Sequence, residues 1–266
     1  MIGKTRVPNE GPLNASIYLV GEAPGADEVS EGRPFIGTSG TLLRDCLARA
    51  GASIEEIRIS NLCQFRPENN VFRVLLNSRE LREGIEELAA DIRANNPVVI
   101  GALGNWPLYF LTGKCGKKGP GSGITKWRGS ILPCTLPGCE HIKVVACAHP
   151  AFIARQREEY PVFSFDIQRV VQDSAFREFR YPERVLVLDP RGEELDRWAA
   201  TLISSEWLDC DIETFKGSTR ILCHGFSPEP GISVVIAHSD TDAHRQAVLE
   251  QIYQSQARKC FHNGFG

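Results

Sequence analysis

Two carboxylates, one amide and one imidazole lie near the ends of short apolar runs in this chain, and together they could carry acid–base chemistry. Glu22 and Glu28 follow the apolar run 17–20 and lie among glycines and prolines. Asn61 lies near the end of a second run, and His149 follows a third. Carboxylates stabilise positive charge, an amide both donates and accepts, and a neutral imidazole can donate. The sequence therefore predicts one site built from three separated segments.

The elements that must position these residues alternate between strands and helices, which is typical of a three-layer α/β/α domain with a mostly parallel sheet. Strands are expected at 17–20 and 57–62, in VVIGALG, and as a pair in WRGSILPCTLP and HIKVVACAHP. Ser78 is expected to cap a helix that runs to about Asn95, and a closing helix is expected at 161–176. Ligand sites in open α/β sheets form at the carboxyl ends of strands, so this architecture would bring the three segments together.

Composition restricts the possible partners only locally. The 266 residues carry a net charge of −3, so the chain as a whole has no basic surplus for binding nucleic acid. Five basic residues without an intervening acid lie between Lys114 and Arg128, and arginines recur between Arg155 and Arg184. Either region could neutralise phosphates, although a solvated basic loop explains the first region equally well.

Nine cysteines are scattered along the chain without the spacing of a disulfide framework. This pattern indicates reduced thiols and a cytoplasmic location. Cys134 and Cys139 are the only close pair, and free thiols are expected there because no second pair completes a zinc site. The sequence contains no signal peptide and no apolar run of about 20 residues, so a soluble monomer without membrane contact is expected.

Three segments resemble the motifs of the family 4 uracil-DNA glycosylases. GEAPG, the acid at Glu28 and GRPFIG resemble the first motif, SNLCQFRPENN the second, and HPAFIARQ the His-Pro-Ser/Ala motif. The resemblance covers roughly 15–176 and implies an enzyme that hydrolyses the N-glycosidic bond of deoxyuridine in DNA, in base excision repair. The alternative is a catalytically weak module that detects uracil in DNA ahead of a polymerase.

The resemblance also assigns catalytic roles. Glu22 and Glu28 would stabilise the positive charge that develops on the sugar and would position water. His149 would donate a hydrogen bond to the departing uracil as a neutral imidazole. A solvated turn explains the two acids by themselves, and a histidine at a strand end is often structural, so these roles depend on the order of the motifs.

Binding roles follow from the same resemblance, because uracil must be flipped out of DNA to be reached. Phe35 would stack on the flipped base, although a phenylalanine would fill the core beside a turn equally well. The amide of Asn61 would recognise uracil, although asparagine is also a common turn residue. The uracil-binding residues implied are Ala23, Phe35 and Asn61. The implied DNA contacts are Arg155, Arg157, Lys126 and Arg128, with Phe152 or Ile153 as a wedge.

The family usually holds an iron–sulfur cluster on four cysteines, and this sequence departs from that pattern. The expected Cys-x-x-Cys is absent from 1–15, and Phe65 and Gly84 occupy the two later ligand positions. Cys63 lies two residues out of register and cannot hold a cluster alone. The sequence therefore predicts a variant of residues 1–176 that has no cluster and no other cofactor.

The charged segment 177–184 is interpreted as a linker to a second domain, 185–266. In this domain DIET places Asp211 and Glu213 on one face of a strand, where a divalent cation can be shared, although a polar strand edge is the simpler explanation. The pattern resembles the first motif of the DEDD 3′–5′ exonucleases, which have a ribonuclease H-like α/β fold and use Mg²⁺ or Mn²⁺. Because the sequence stops at HNGFG, we expect an incomplete exonuclease domain without nuclease activity, in a fusion with a proofreading exonuclease or DNA polymerase.

Overall fold

A computed structural model describes residues 2–181 and 183–261, which form two compact units. The first unit ends at Phe179 and the second begins at Arg180. The run HNGFG, on which the expectation of an incomplete nuclease depends, lies outside the described residues. In the described part of the chain, no helix has both the length and the apolar character needed to cross a lipid bilayer.

The first unit is built on a sheet with the strand order β2-β1-β3-β5-β4. Its strands are β1 (Ile17–Gly21), β2 (Arg58–Asn61), β3 (Val99–Leu103), β4 (Ile131–Pro133) and β5 (Lys143–Cys147). Strands β2, β1, β3 and β5 run parallel, and β4 pairs antiparallel with β5. The mostly parallel sheet and the strand pair predicted from the sequence are therefore confirmed, and the structure shows that the pair is antiparallel.

Helices cover both faces of this sheet. They are α1 (Ala26–Glu31), α2 (Gly37–Arg49), α3 (Arg79–Asn95), α4 (Asn105–Thr112), α5 (Ile124–Trp127), α6 (Pro150–Ile153) and α7 (Tyr160–Asp173). Successive side chains of a strand point to opposite faces. Accordingly, Tyr18 and Val20 of β1 pack in one apolar cluster with α3, whereas Ile17 and Leu19 pack in another with α2 and α7. The result is the predicted three-layer arrangement.

The longest helix, α3, begins and ends where the sequence predicts. The hydroxyl oxygen of Ser78 accepts a hydrogen bond from the main-chain N–H of Leu81 at 3.1 Å, which satisfies one free donor of the first turn. At the other end Asn96 has a φ of +47°, the left-handed conformation that commonly ends a helix. Pro97 follows and lacks the N–H that a further turn would need.

A buried lysine fastens the last helix of the first unit to the sheet. Lys143 at the start of β5 is fully buried, and its ammonium group donates to the main-chain carbonyls of Asp173, at 2.7 Å, and Phe176. The Asp173 carboxylate lies 3.4 Å from the same nitrogen and also accepts from Arg169 at 2.9 Å. Through these bonds the side chain of Lys143 supplies hydrogen-bond donors to main-chain carbonyl groups at and just beyond the carboxyl end of α7.

We expect the substitution Lys143→Met to lower the free energy of unfolding by roughly 3–5 kcal/mol, because it removes one partner of a buried ion pair. Urea denaturation followed by circular dichroism measures this change. The matched control is Arg169→Met, which removes the half-exposed partner of the same carboxylate and should change stability by less than about 1 kcal/mol. Equal losses of unfolding free energy in the two variants would contradict the conclusion that the buried Lys143 is the main stabilising partner of Asp173.

The second unit, considered by itself, is a sheet with the strand order β10-β7-β8-β9-β6. Its strands are β6 (Val185–Leu188), β7 (Trp207–Thr214), β8 (Ile221–Ser227), β9 (Ile232–Ala237) and β10 (Arg258–Phe261). Strands β7, β8 and β9 form an antiparallel meander, β10 is parallel to β7, and β6 is parallel to β9. Helices α8 (Glu193–Ser204) and α9 (Ala243–Gln254) share an apolar cluster with the sheet.

Candidate active site

A cavity of about 590 Å³ lies in the first unit at the carboxyl ends of the four parallel strands. Glu22 follows β1, Asn61 is the last residue of β2, Gly104 follows β3, and His149 lies just beyond β5. All four residues line the cavity, as does Ala23. The polar residues that the sequence places at three strand ends therefore meet around one space, because parallel strands end at the same edge of a sheet.

Glu22 lines the cavity, and its carboxyl group has a strongly raised pKa. Burial raises the pKa of its carboxyl group to about 7, and the main-chain N–H of Trp106 at the start of α4 opposes that shift. A carboxylic acid with a pKa near neutrality can exchange a proton at physiological pH. Glu22 therefore has the acidity that suits a general base.

Glu28 also lines the cavity, but its carboxylate is bound to the main chain of its own loop. One oxygen accepts from the N–H of Gly25 and the other from the N–H of Phe35. The segment that contains it is the short helix α1, and Glu28 caps the first turn of this helix through the N–H of Gly25. Both oxygens thus hold the loop in place.

Phe35 adopts a backbone conformation that is unusual for its residue type. Its φ is +51°, a region where a bulky residue is strained, and such residues cluster at functional sites. The bond from its N–H to Glu28 holds it there, and Gly40 leaves room for its carbonyl, since a β-carbon at that position would collide with the carbonyl oxygen. The ring lines the cavity with its centroid 6.4 Å from that of His149.

Gly21 leaves the space that the two predicted base-binding side chains occupy. A β-carbon at this position would lie 2.6 Å from Cζ of Phe35 and would also collide with the amide oxygen of Asn61. Its φ lies outside the left-handed region, so an alanine there would be strained by crowding alone. A β-carbon at the end of β1 would therefore force the side chains of Phe35 and Asn61 to move.

We expect Gly21→Ala to lower kcat/KM roughly 10²-fold by displacing Phe35 and Asn61, since misplacement by about 1 Å can have an effect of this size. Single-turnover assays of uracil release from a deoxyuridine oligonucleotide, the substrate that the sequence resemblance implies, measure the change. Gly225→Ala in the second unit is the control, because a β-carbon there would meet its neighbours only at ordinary distances of 3.7 Å and more. An active Gly21→Ala variant would show that the two side chains need not keep their positions.

His149 is fixed in one tautomer by the helix that follows it. Its Nδ1 accepts a hydrogen bond from the main-chain N–H of Ala151 at 3.1 Å, so the hydrogen of the neutral ring is assigned to Nε2. Burial lowers the pKa of His149 to about 4, and the positive charge of Arg155 adds to the shift. At neutral pH the cavity wall therefore contains an uncharged imidazole whose Nε2–H is available as a donor.

The structure separates the four predicted DNA contacts into two groups. Arg155 and Arg128 line the cavity, whereas Lys126 and Arg157 do not. The guanidinium of Arg128 is partly occupied, because it donates to the buried carboxylate of Asp166 at 2.9 Å and to the carbonyl of Val162 at 2.7 Å. The ammonium of Lys126 lies 5.0 Å from the ring centroid of Trp127, and that of Lys114 lies 5.3 Å from it.

Of the two residues considered as a wedge, only one faces the cavity. Phe152 lines it and is 39% exposed, whereas Ile153 is fully buried in the apolar cluster beneath α6. The sequence could not separate them because they are adjacent apolar residues in one helical turn. Ile153 is a core residue, and Phe152 is the apolar side chain that can reach DNA.

Gly104 and Asn105 are among the lining residues that were missed from the sequence. They lie at the carboxyl end of β3, directly after the apolar run VVIGAL. A polar residue directly after a buried strand is the same signal that pointed to Asn61 and His149. At β3, however, a glycine separates the polar residue from the strand, and the polar residue was interpreted as part of the helix that follows.

Comparison with known proteins identifies the family. The model of the Uracil DNA glycosylase superfamily matches residues 8–173, well over half of the chain. The chain belongs to the uracil DNA glycosylase superfamily. It is similar to the type-4 uracil-DNA glycosylase of Thermotoga maritima, with 37% identity over 165 residues, or 62% of this chain and 77% of that protein. The type-4 uracil-DNA glycosylases of Archaeoglobus fulgidus, at 33% identity over 157 residues (58% and 76%), and Pyrobaculum aerophilum, at 32% over 153 residues (58% and 75%), are also similar. This superfamily member is thus a glycosylase, a hydrolase of glycosidic bonds.

The prediction that this glycosylase has no iron–sulfur cluster is contradicted by these relatives, because the type-4 enzymes are the family known to carry one. The positions named in the sequence do not fit a cluster, however. Cys63 is fully buried in an apolar cluster, and a β-carbon at Gly84 would lie 2.5 Å from the carbonyl oxygen of Leu62. Among residues 2–181 and 183–261, no three His, Cys, Asp or Glu side chains are grouped to hold a metal.

The predicted metal ligands Asp211 and Glu213 lie on β7 of the second unit. Asp211 is half-buried and Glu213 exposed, while the alternate residues Leu208 and Cys210 pack under the helices. The two carboxylates therefore occupy the sheet face opposite α8 and α9. In the described part of the chain, no third His, Cys, Asp or Glu joins them in a possible metal site.

Proposed function

We propose that this chain is a uracil-DNA glycosylase that hydrolyses the N-glycosidic bond of deoxyuridine in DNA, as a step of base excision repair. The observation that carries the proposal is the meeting of Glu22, Asn61 and His149 around one cavity. The similarity to type-4 uracil-DNA glycosylases supports the same substrate. The cavity wall supplies the three groups that this reaction needs: a base in Glu22, an amide in Asn61 and a neutral hydrogen-bond donor in His149.

In the proposed mechanism, uracil leaves the base stack and enters the cavity, at an energetic cost of a few kcal/mol. The ring of Phe35 stacks on the flipped base. The Asn61 amide donates to O4 of uracil and accepts from its N3–H, a pairing that one amide can make. Cytosine presents the opposite pattern at these two positions, so the same amide favours uracil over cytosine.

Bond cleavage sends the electron pair of the C1′–N1 bond to uracil and leaves positive charge on the sugar. The Glu22 carboxylate stabilises that positive charge and takes a proton from the water whose oxygen forms the new bond to C1′. His149 donates from Nε2–H to O2 of the departing uracil anion, where negative charge develops. Glu28 acts indirectly. Its carboxylate accepts hydrogen bonds from the main-chain N–H groups of Gly25 and Phe35 and so positions the loop that carries Phe35.

Release of free uracil tests the proposal directly. Purified protein is incubated with an oligonucleotide that contains one deoxyuridine, and with a matched oligonucleotide that contains thymidine, and the released base is quantified by mass spectrometry. Uracil from the first and no thymine from the second is the expected result. Tight binding without release of uracil would instead favour the alternative, a module that only detects uracil.

We also propose that the enzyme acts on DNA as a monomer and binds phosphates through Arg155, Arg157, Lys126 and Arg128. Arg155 is the residue with the strongest support, since it lines the cavity and its charge acts on His149. Each phosphate contact that is lost should make binding less dependent on salt concentration.

We further propose that the second unit has a ribonuclease H-like exonuclease fold, in a fusion with a proofreading exonuclease or DNA polymerase. The antiparallel meander β7-β8-β9, followed by α9 and by β10 parallel to β7, supports this proposal. The family match ends at residue 173 and does not extend to this unit. In a complete domain Asp211 and Glu213 would share Mg²⁺ or Mn²⁺. An experimental structure in which β10 does not pair with β7 would contradict the proposal.

A further inference from the structure

Asn105 occupies a central position in the cavity wall. It follows Gly104, whose φ is +108° and whose missing β-carbon would lie 2.9 Å from a carboxylate oxygen of Glu22 and 3.2 Å from Cδ2 of His149. The main chain at the end of β3 therefore passes between the proposed base and the proposed donor. Asn105 is the next residue, it is half-buried, and its side chain lines the cavity.

The orientation of the Asn105 amide is determined by one hydrogen bond. Its Oδ1 accepts from the main-chain N–H of Ile124 at 2.9 Å, at the start of α5. A main-chain N–H can only donate, so the amide atom that faces Ile124 must be the oxygen. The Nδ2 atom is therefore the other terminal atom of the amide group and takes no part in this bond.

The Nδ2 group of Asn105 has no acceptor among the described residues of the chain. It is thus a donor with two hydrogens on a cavity wall that already holds an acid, an amide and an imidazole. Because Oδ1 is occupied, Asn105 offers donors only. A donor of this kind matches an acceptor oxygen, of which a deoxyuridine nucleotide has several, on the uracil carbonyls and on the phosphate.

We propose that Asn105 is a binding residue for the flipped nucleotide and donates from Nδ2 to one of its acceptor oxygens. The inference rests on the proposed function and adds to it a contact from β3, the strand end to which the sequence motifs assign no role. The same amide holds the start of α5 and the basic loop that contains it. Asn105 therefore links the recognition of the nucleotide to the position of that loop.

Two substitutions separate the contact from its alternatives. Asn105→Asp keeps an oxygen for the Ile124 N–H and replaces the donor by an acceptor, whereas Asn105→Ala removes the whole amide. We expect kcat/KM for uracil release to fall roughly 10- to 100-fold in both variants. The control is Asn14→Asp, which adds the same charge at an exposed position outside the cavity lining and outside the three motifs, and should change the rate less than about 3-fold.

The pattern of losses decides the outcome. A lower kcat/KM in both variants supports the contact. A lower kcat/KM in the alanine variant alone would mean that Asn105 only holds the start of α5 in place. A lower kcat/KM in the aspartate variant alone would be an effect of the added charge without a contact, and either of these two results overturns the inference. If the wild-type protein releases no uracil, the proposed function itself fails, which is a different result from unchanged variants of an active enzyme.

Inhibition by free uracil and salt dependence identify the acceptor oxygen. If Nδ2 donates to a uracil carbonyl, the inhibition constant of free uracil should rise roughly 10-fold in Asn105→Ala. If it donates to a phosphate, inhibition by uracil should be unchanged, while KM for DNA rises and its salt dependence becomes shallower. Either result supports a contact with the nucleotide, and the absence of both would contradict it.

Discussion

Replacing Glu22 with glutamine should slow uracil excision by roughly 10²–10⁴-fold, the range typical of a lost general base. Glutamine has nearly the same shape and keeps an oxygen for the Trp106 N–H, so the cavity should keep its form. What it lacks is the negative charge that stabilises the sugar cation and the ability to take a proton from water. Single-turnover kinetics on a deoxyuridine oligonucleotide measure the loss, and a rate within about 3-fold of the wild type would remove Glu22 from the mechanism.

The pH dependence of the wild-type rate should carry the signature of Glu22. Burial raises the pKa of this carboxyl group to about 7, and in the proposed mechanism only the ionised form acts as the base. The rate should therefore rise as the pH increases through about 7 and level off above about 8. In Glu22→Gln this rise should be absent, so the residual rate should be nearly independent of pH.

The same substitution should make the protein more stable above neutral pH. A folded-state pKa above the unfolded value means that the folded state binds the proton more tightly. The associated stabilisation is complete below about pH 4.5 and is lost as the pH rises through about 7. At about pH 8, Glu22→Gln should therefore exceed the wild type by up to roughly 3 kcal/mol in free energy of unfolding. A less stable variant at that pH, by urea denaturation, would contradict this account of the burial.

Replacing His149 with alanine should lower the excision rate roughly 10²–10³-fold, the loss expected when one preorganised donor to a developing anion is removed. The donor is the Nε2–H, because Nδ1 accepts from the Ala151 N–H. The pKa of His149 is lowered to about 4, so the ring stays neutral from about pH 5 to 9 and adds no transition of its own to the profile. The ratio of wild-type to variant rates should therefore be constant across that range.

The control for His149→Ala is His141→Ala, at an exposed histidine whose ring contacts Asn96 outside the cavity. This variant should excise uracil at the wild-type rate. A second transition in the wild-type profile between about pH 5 and 8 that disappears in His149→Ala would show that the ring titrates in that range. The role of a neutral donor would then be wrong.

The sheet and the meeting point of the site could be predicted from the sequence, because both follow from short-range patterns. Apolar runs such as 17–20 mark buried strands, and parallel strands necessarily end at one edge, so Glu22, Asn61 and His149 had to lie near each other. The orientation of the Asn105 amide could not be predicted, because it depends on Ile124, 19 residues further along the chain. No local pattern contains such a contact.

The properties of individual groups were the least predictable part. The two acids of the first motif look alike in the sequence, yet Glu28 is held by main-chain N–H groups while Glu22 has its pKa raised by burial. The positive φ of Phe35 likewise depends on Glu28 and Gly40 together. On β7, the spacing of Asp211 and Glu213 fixes a shared sheet face but supplies no third ligand, so a local motif could not establish a metal site.

The wall of the cavity is built on the ends of four neighbouring strands of one sheet, where strand pairing fixes the spacing between them. Because the protein side of the site needs little conformational change, the main energetic cost is the flipping of uracil out of the DNA. The energy needed to separate uracil from its partner on the opposite strand should then set the order of preferred substrates. Uracil in a wobble mismatch with guanine, or at an unpaired position, should be removed faster than uracil held by adenine in a stable duplex.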